Sequence, residues 1–383
     1  MPSNVALVNG RVLAGEDFAE GLAVLLEGGR IAGVVDAVDV PGGFVHHDLG
    51  GDWLLPGFID AQVNGGGGVL FNNTPTADGV RAIARAHRRF GTTGLLPTLI
   101  SDDLARMREG IAAVREAMAS GEAGILGIHL EGPWLAEARK GTHDAGKFRV
   151  PDQDEIALAT SLGRGVTLVT LAPEQVPDAT IRALSERGAV VAAGHTDASY
   201  ERTREGLDAG IRGFTHLYNA MSPLQGRAPG VVGAALEDRD SWLGIIADGV
   251  HVHAASLRLA LHAKPRGKVF LVTDAMPMVG GDAPDFDLYG ETITARDGVV
   301  RNAAGALAGS ALDMLTALRN AVELLGVPLA EAARMAATYP ADFLGLSDSH
   351  GRIATGCRAN FVQLGGDDMA VRGTWVAGQQ EAH

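Results

Sequence analysis

Gly124-Ile125-Leu126-Gly127-Ile128-His129-Leu130-Glu131 is an apolar run that ends on a carboxylate, and three other stretches share its form. They are Val190-Val191-Ala192-Ala193-Gly194-His195, Arg212-Gly213-Phe214-Thr215-His216 and Val269-Phe270-Leu271-Val272-Thr273-Asp274. Apolar strands without polar alternation suit a parallel sheet buried on both faces. In a closed parallel barrel the carboxyl ends of different strands converge on one mouth, so Glu131, His195, His216 and Asp274 are predicted to share a pocket. One carboxylate and two imidazoles bind a divalent metal with a position left open for water, and a further carboxylate can work on that water. The pattern reads as a metal hydrolase.

Outward from these runs the chain alternates. Strands are predicted at 57–63, 94–99, 124–131, 166–172, 189–195, 213–216, 243–248 and 269–274, with helical periodicity at 76–90, 103–119, 178–187, 199–209, 254–263 and 311–325. Eight such units point to an α/β fold, a (β/α)8 TIM-type barrel, with a doubly wound open sheet as the alternative. Both ends read differently, as short strands (5–8, 21–27, 30–36 and 44–48, then 360–364, 370–372 and 374–376) split by Asn9-Gly10, Gly28-Gly29 and Pro41-Gly42-Gly43. Short hairpins are marginal alone. The expectation is therefore one small β-sandwich domain built from residues 1–53 and 350–383 around a catalytic barrel at 54–349.

The 383 residues suffice for that barrel and module, and 46% hydrophobic with 20% charged residues is ordinary globular composition. A formal net charge of −14 argues against a nucleic-acid partner, which needs a cationic face, but not against a small anion held in a cleft. Cys357 is the only cysteine, so thiolate metal sites and an intrachain disulfide are excluded. Its setting reads as a late polar turn without catalytic importance. No secretory signal and no membrane-length apolar run is evident, so the expected location is the cytoplasm.

Glu131, His195 and His216 are the predicted metal ligands; the nitrogen and oxygen set suits Zn²⁺ first, with Fe²⁺, Co²⁺ and Mn²⁺ compatible. His129 shares the strand face of Glu131 and reads as a partner orienting the site rather than a ligand. Asp274 is the predicted general base. On the first strand Asp60, Gln62 and Asn64 point into the barrel; Gln62 and Asn64 stand where a His-x-His pair would mark a second metal. Amides are poor ligands, so one metal per subunit is expected.

Taken together, Leu55-Pro56-Gly57-Phe58-Ile59-Asp60, Gly91-Thr92-Thr93-Gly94, His129-Leu130-Glu131-Gly132-Pro133, Lys140-Gly141-Thr142-His143 and Gly194-His195-Thr196 resemble a known family. So do His216-Leu217-Tyr218-Asn219-Ala220-Met221, Ala247-Asp248-Gly249-Val250-His251, Thr273-Asp274-Ala275 and Leu307-Ala308-Gly309-Ser310. The chain is similar to the N-acetylglucosamine-6-phosphate deacetylases of the amidohydrolase superfamily, in consistent order from about Leu54 to Ala359. The resemblance implies hydrolysis of N-acetyl-D-glucosamine 6-phosphate to D-glucosamine 6-phosphate and acetate in amino-sugar metabolism, by a homodimer. Water activated at the metal would be the nucleophile and Asp274 the base and then the acid. The resemblance also implies that His143 contacts the acetamide carbonyl and stabilises the oxyanion, and that Leu307 lies near the N-acetyl group. Asn219 and Ala220 would complete a phosphate pocket, with Arg227 and His251 contributed to the neighbouring subunit's site. Arg227, read without the resemblance, is a solvated loop residue. Two alternatives stay open: the same metal acting on another N-acetylated sugar phosphate or a cyclic amide, and a non-catalytic binding scaffold. Residues 279–290 mix Gly, Pro and Asp and read either as a mobile loop near the mouth or as a plain surface connection.

Overall fold

The computed structural model describes residues 4–382. Eight parallel strands form the central sheet: Phe58–Val63, Thr92–Ile100, Gly127–Glu131, Val166–Leu171, Val190–Ala193, Ile211–Phe214, Trp242–Ile245 and Val269–Leu271. Each pairs with its sequence neighbours, in the order a singly wound barrel requires. The first and eighth strands meet beyond the end of the eighth, where Val63 bridges Ala275 and Asp274 N donates to Gln62 O at 3.0 Å. The barrel expectation holds, and the open-sheet alternative falls.

Helices cover the barrel between strands, and several are started by capping chemistry visible in the sequence. Thr76 caps Ala77–Arg88 through Gly79 N, Ser199 caps Tyr200–Ala209 through Arg202 N, and Asp313 caps Met314–Glu323 through Thr316 N. Four helices were not foreseen: Gln153–Ala159, Gly230–Glu237, Leu329–Ala336 and Thr338–Phe343. Each has six to eight residues, too short for a clear apolar period. The last contributes to one end of the barrel interior, where Phe343 stacks on Phe270 with ring centroids 4.9 Å apart.

The termini form two sheets packed face to face. One has four strands (Arg30–Asp36, Leu22–Glu27, Asn4–Val8, Val45–Asp48); the other has six, running from Gln379–Ala382 through Phe361–Leu364 and Trp53–Pro56 to Asp17–Ala19. Their shared core includes Leu7, Val24, Ile31, Leu54, Phe361 and Trp375. Cys357 closes the turn that begins at Ala354, its N–H donating to Ala354 O at 3.1 Å, and its side chain is buried in that core; burial raises its thiol pKa. The segment after the eighth barrel strand also departs from expectation. Asp285–Leu288, Glu291–Arg296 and Val299–Arg301 make a three-stranded antiparallel sheet, whose Leu288, Ile293 and Val300 pack on Leu70, Ile100 and Met276 beside the barrel mouth. Among the described residues no helix is long and apolar enough to cross a membrane.

Candidate active site and metal centre

A cavity of about 370 Å³ opens at the carboxyl ends of the barrel strands and contains every predicted site residue except Arg227 in its lining. Glu131 ends the third strand, but His195, His216 and Asp274 lie just past their strands, with φ of 49°, 33° and 54°. The sequence reading ran those strands through to the functional residue. The left-handed backbone explains the earlier stops, because extended pairing cannot pass through such a residue. Tyr218 and Ala220 share the region at φ 77° and 50°. Non-glycine residues there cost about 1–3 kcal/mol each and persist only where the surrounding structure holds them.

His216 Nε2 lies 3.1 Å from Glu131 Oε1 and 3.2 Å from His195 Nε2, and His195 Nε2 is 3.4 Å from Glu131 Oε1. Metal–ligand bonds of about 2.0–2.1 Å in a tetrahedron give ligand–ligand edges of about 3.3 Å, so the three atoms already form one face of a coordination polyhedron. His195 Nδ1 donates to the Arg139 carbonyl at 2.8 Å, leaving the Nε2 lone pair free for an ion. Burial opposes the charge on Glu131, yet its two imidazole neighbours hold its pKa well below the ordinary range. The residues fit a divalent metal. Among the described residues this is the one His/Cys/Asp/Glu group with donor atoms so close together.

Gln62 Nε2 donates to both Glu131 oxygens, at 3.1 and 3.2 Å, and to Asp274 Oδ1 at 3.1 Å. Asn64 Nδ2 donates to the same Asp274 oxygen at 2.6 Å. The two amides thus serve the carboxylates as hydrogen-bond donors. Burial, and then the charge of Glu131, raises the pKa of Asp274. Asp60 lies outside the cavity lining: Thr273 Oγ1 donates to its Oδ2 at 2.5 Å, and burial pushes its pKa up to about 7. His129 stands outside the ligand group, with Nδ1 and Nε2 at 3.1 and 2.8 Å from the Thr98 and Thr170 hydroxyls. Burial drives its pKa down to about 4, so it is neutral.

His143, Asn219, Ala220 and Leu307 all line the cavity. Burial, then the positive influence of His195, keeps the His143 pKa well below its usual value. Arg227 is exposed on the loop between Pro223 and Ala228 and lies outside the lining. The ring of His251 lines the cavity of its own chain. The reason is a local turn: Asp248 Oδ1 accepts from Val250 N and His251 N, both at 2.8 Å, and Oδ2 meets His251 Nδ1 at 2.6 Å. Sequence reading missed Ser101, which follows the second strand at the level of Glu131, and Tyr289 on the three-stranded insertion. The strand-end rule could have found Ser101; nothing in the sequence marked Tyr289. A larger hollow of about 580 Å³ lies away from the predicted ligands, where Arg266 pairs with Glu16 and Glu331.

Comparison with known proteins agrees with this geometry. The profile described as Amidohydrolase family matches residues 53–380. An N-acetylgalactosamine-6-phosphate deacetylase from Shewanella sp. (strain ANA-3) is 40% identical, covering 96% of this chain and 94% of the relative. An N-acetylglucosamine-6-phosphate deacetylase from Haemophilus influenzae is 33% identical over 93% of this chain and 94% of the relative. The crystal structure of N-acetylglucosamine-6-phosphate deacetylase from Pasteurella multocida superposes with a TM-score of 0.95 at 35% identity, covering 99% of this chain and 100% of that one.

Proposed function

The chain belongs to the amidohydrolase family, and we propose that it hydrolyses the acetamide of N-acetyl-D-glucosamine 6-phosphate, releasing acetate and D-glucosamine 6-phosphate. The observation that carries this reading is the convergence of Glu131, His195 and His216 beside Asp274 in one cavity that also holds His143 and His251. One divalent ion per subunit, Zn²⁺ by the chemistry of its donors, would acidify a water and polarise the acetamide carbonyl.

The chain's own residues supply the rest. Asp274, ionised and held by Gln62 and Asn64, takes a proton from the attacking water and returns it to the departing amine nitrogen. A carboxylate whose pKa is raised by burial is a stronger proton acceptor than one in water. His143 donates to the oxygen on which negative charge develops. His251, Asn219 and Ala220 bind the sugar phosphate at the mouth, and in a homodimer Arg227 reaches across to the neighbouring site with its fork of donors.

Replacing Asp274 with Asn tests the assignment. Metal content is expected to stay near that of the wild type while acetate release falls by orders of magnitude; near-normal turnover overturns Asp274 as the base. A second reading changes only the sugar's epimer, and the 40% identity to the Shewanella N-acetylgalactosamine-6-phosphate deacetylase favours it. Acetate release from the two 6-phosphates, and from the unphosphorylated sugars, ranks the epimers and tests the phosphate contacts together.

A further inference from the structure

Ser101 lies at the end of the second barrel strand and is 1% exposed. Its Oγ is 2.8 Å from His143 Nδ1, and its backbone N–H donates to the same nitrogen at 3.3 Å. A backbone N–H can only donate, so Nδ1 presents a lone pair and the proton of the neutral ring resides on Nε2. Nε2 makes no hydrogen bond among the described residues, and the ring lines the catalytic cavity. The same serine is held from its other side. Tyr289, on the turn between Leu288 and Glu291, donates its hydroxyl to the Ser101 carbonyl at 2.5 Å. The three-stranded insertion that carries Tyr289 is fixed near the mouth by Asn73 Nδ2, which donates to Asp287 O at 2.6 Å. Space for the serine is built in: Gly132, with φ at 84°, directly follows Glu131, and a Cβ there would stand 2.3 Å from Ser101 Oγ.

We propose that Ser101, clamped by Tyr289, is a positioning residue that holds His143 as a neutral imidazole with its proton on Nε2, aimed at the acyl oxygen of the bound substrate. The proposal rests on the deacetylase reading for the target of that proton, but not for the tautomer. The opposite tautomer would set an Nδ1–H against a second N–H donor and turn a lone pair toward the developing oxyanion, which repels it. Ser101 touches no substrate. It acts through His143, and the insertion that carries Tyr289 becomes part of the catalytic apparatus through it.

The test uses Zn²⁺-loaded enzyme with ¹⁵N-labelled histidine, the His143 signals being assigned by their loss in His143→Asn. In the wild type, two-bond ¹H–¹⁵N correlations are expected to show the Nε2–H tautomer of His143 with no substrate present. Ser101→Ala keeps the backbone N–H and therefore the tautomer, but removes the 2.8 Å hydroxyl contact that fixes the ring's aim, and is expected to lower kcat about fivefold to tenfold, the equivalent of one ordinary hydrogen bond, with KM and bound zinc little changed. Made in the His143→Asn background, the same substitution is expected to cost nothing further, because the serine then has no ring to orient. An Nδ1–H ring in the wild type, an unchanged kcat in Ser101→Ala, or an equal loss in both backgrounds overturns the proposal. Tyr289→Phe leaves the serine in place and provides the test if Ser101→Ala does not fold; an unaltered spectrum and kcat there remove the clamp. If the wild type released no acetate from the sugar phosphates, the proposed function would fall while the tautomer result still stood.

Discussion

Asn64 is the cleanest place to perturb the proposed base, Asp274, without touching the proposed metal ligands. Its Nδ2 donates to Asp274 Oδ1 at 2.6 Å, and its own Oδ1 is buried with no hydrogen-bond partner. Substituting Leu, of similar volume, removes both features at once. Losing a hydrogen bond to a charged group costs about 1.5–3 kcal/mol, and removing an unsatisfied buried carbonyl returns about 1–3 kcal/mol, so stability should change little. The proton affinity of Asp274 should change a good deal. A donor to a carboxylate stabilises its ionised form and lowers its pKa, so removing the donor raises it. With Gln62 still donating at 3.1 Å, the loss of about 1.5–3 kcal/mol corresponds to about 1–2 pH units. With Asp274 as the proposed base the reactive form is the ionised one, so activity is lost as pH falls through the higher value. Acetate release by metal-saturated Asn64→Leu should therefore show the acid limb of kcat/KM moved up by about 1–2 units, with the melting temperature within a few degrees of the wild type. An acid limb that stays in place refutes the reasoning about Asp274. A large fall in melting temperature refutes the reasoning about the unpartnered carbonyl.

Metal binding should be visible without turnover: at free Zn²⁺ about 100-fold above its Kd, folding is stabilised by about 2.7 kcal/mol. Chelation should lower the melting temperature of the wild type and leave Glu131→Gln unaffected; an equal response in both removes Glu131 from the ligand set. His350 governs part of the acid response far from this site. Burial, then the charges of Arg358 and Arg30, lowers its pKa from 6.5 to about 4, so between those values the unfolded chain binds a proton that the folded chain refuses. Stability from this residue is complete above pH 6.5 and is lost as pH falls toward 4, by about 2–3 kcal/mol after allowance for its partial exposure. Urea titrations should show a shallower fall for His350→Asn than for the wild type, and parallel curves would exclude the residue.

The barrel was legible because its strands are apolar on both faces and stand apart from the helical stretches, and the meeting of Glu131, His195 and His216 was legible because such strands open at one mouth. What escaped the sequence follows from physics that letters do not carry. Six- to eight-residue helices such as Thr338–Phe343 show too few turns for a period. The stretch 279–290 read as a loop because its one strand, Asp285–Leu288, holds only four residues and gains stability in a sheet whose Leu288, Ile293 and Val300 pack on residues far away in sequence. Nor could the letters show that His251 lines the cavity of its own chain, because the turn set by Asp248 decides where that ring points.

Gln62 and Asn64 show why the departure from a His-x-His pair carries more meaning than an absent ligand. Two histidines in their place would offer lone pairs, for which a second cation would be needed beside Glu131 and Asp274. Two amides offer N–H groups instead, and here these are directed at carboxylate oxygens. The hydrogen bonds relieve the repulsion between the Glu131 and Asp274 carboxylates. A residue on the first strand that donates to both therefore favours an ionised Asp274 next to Glu131. Gln62, within 3.2 Å of each, is the residue that does so.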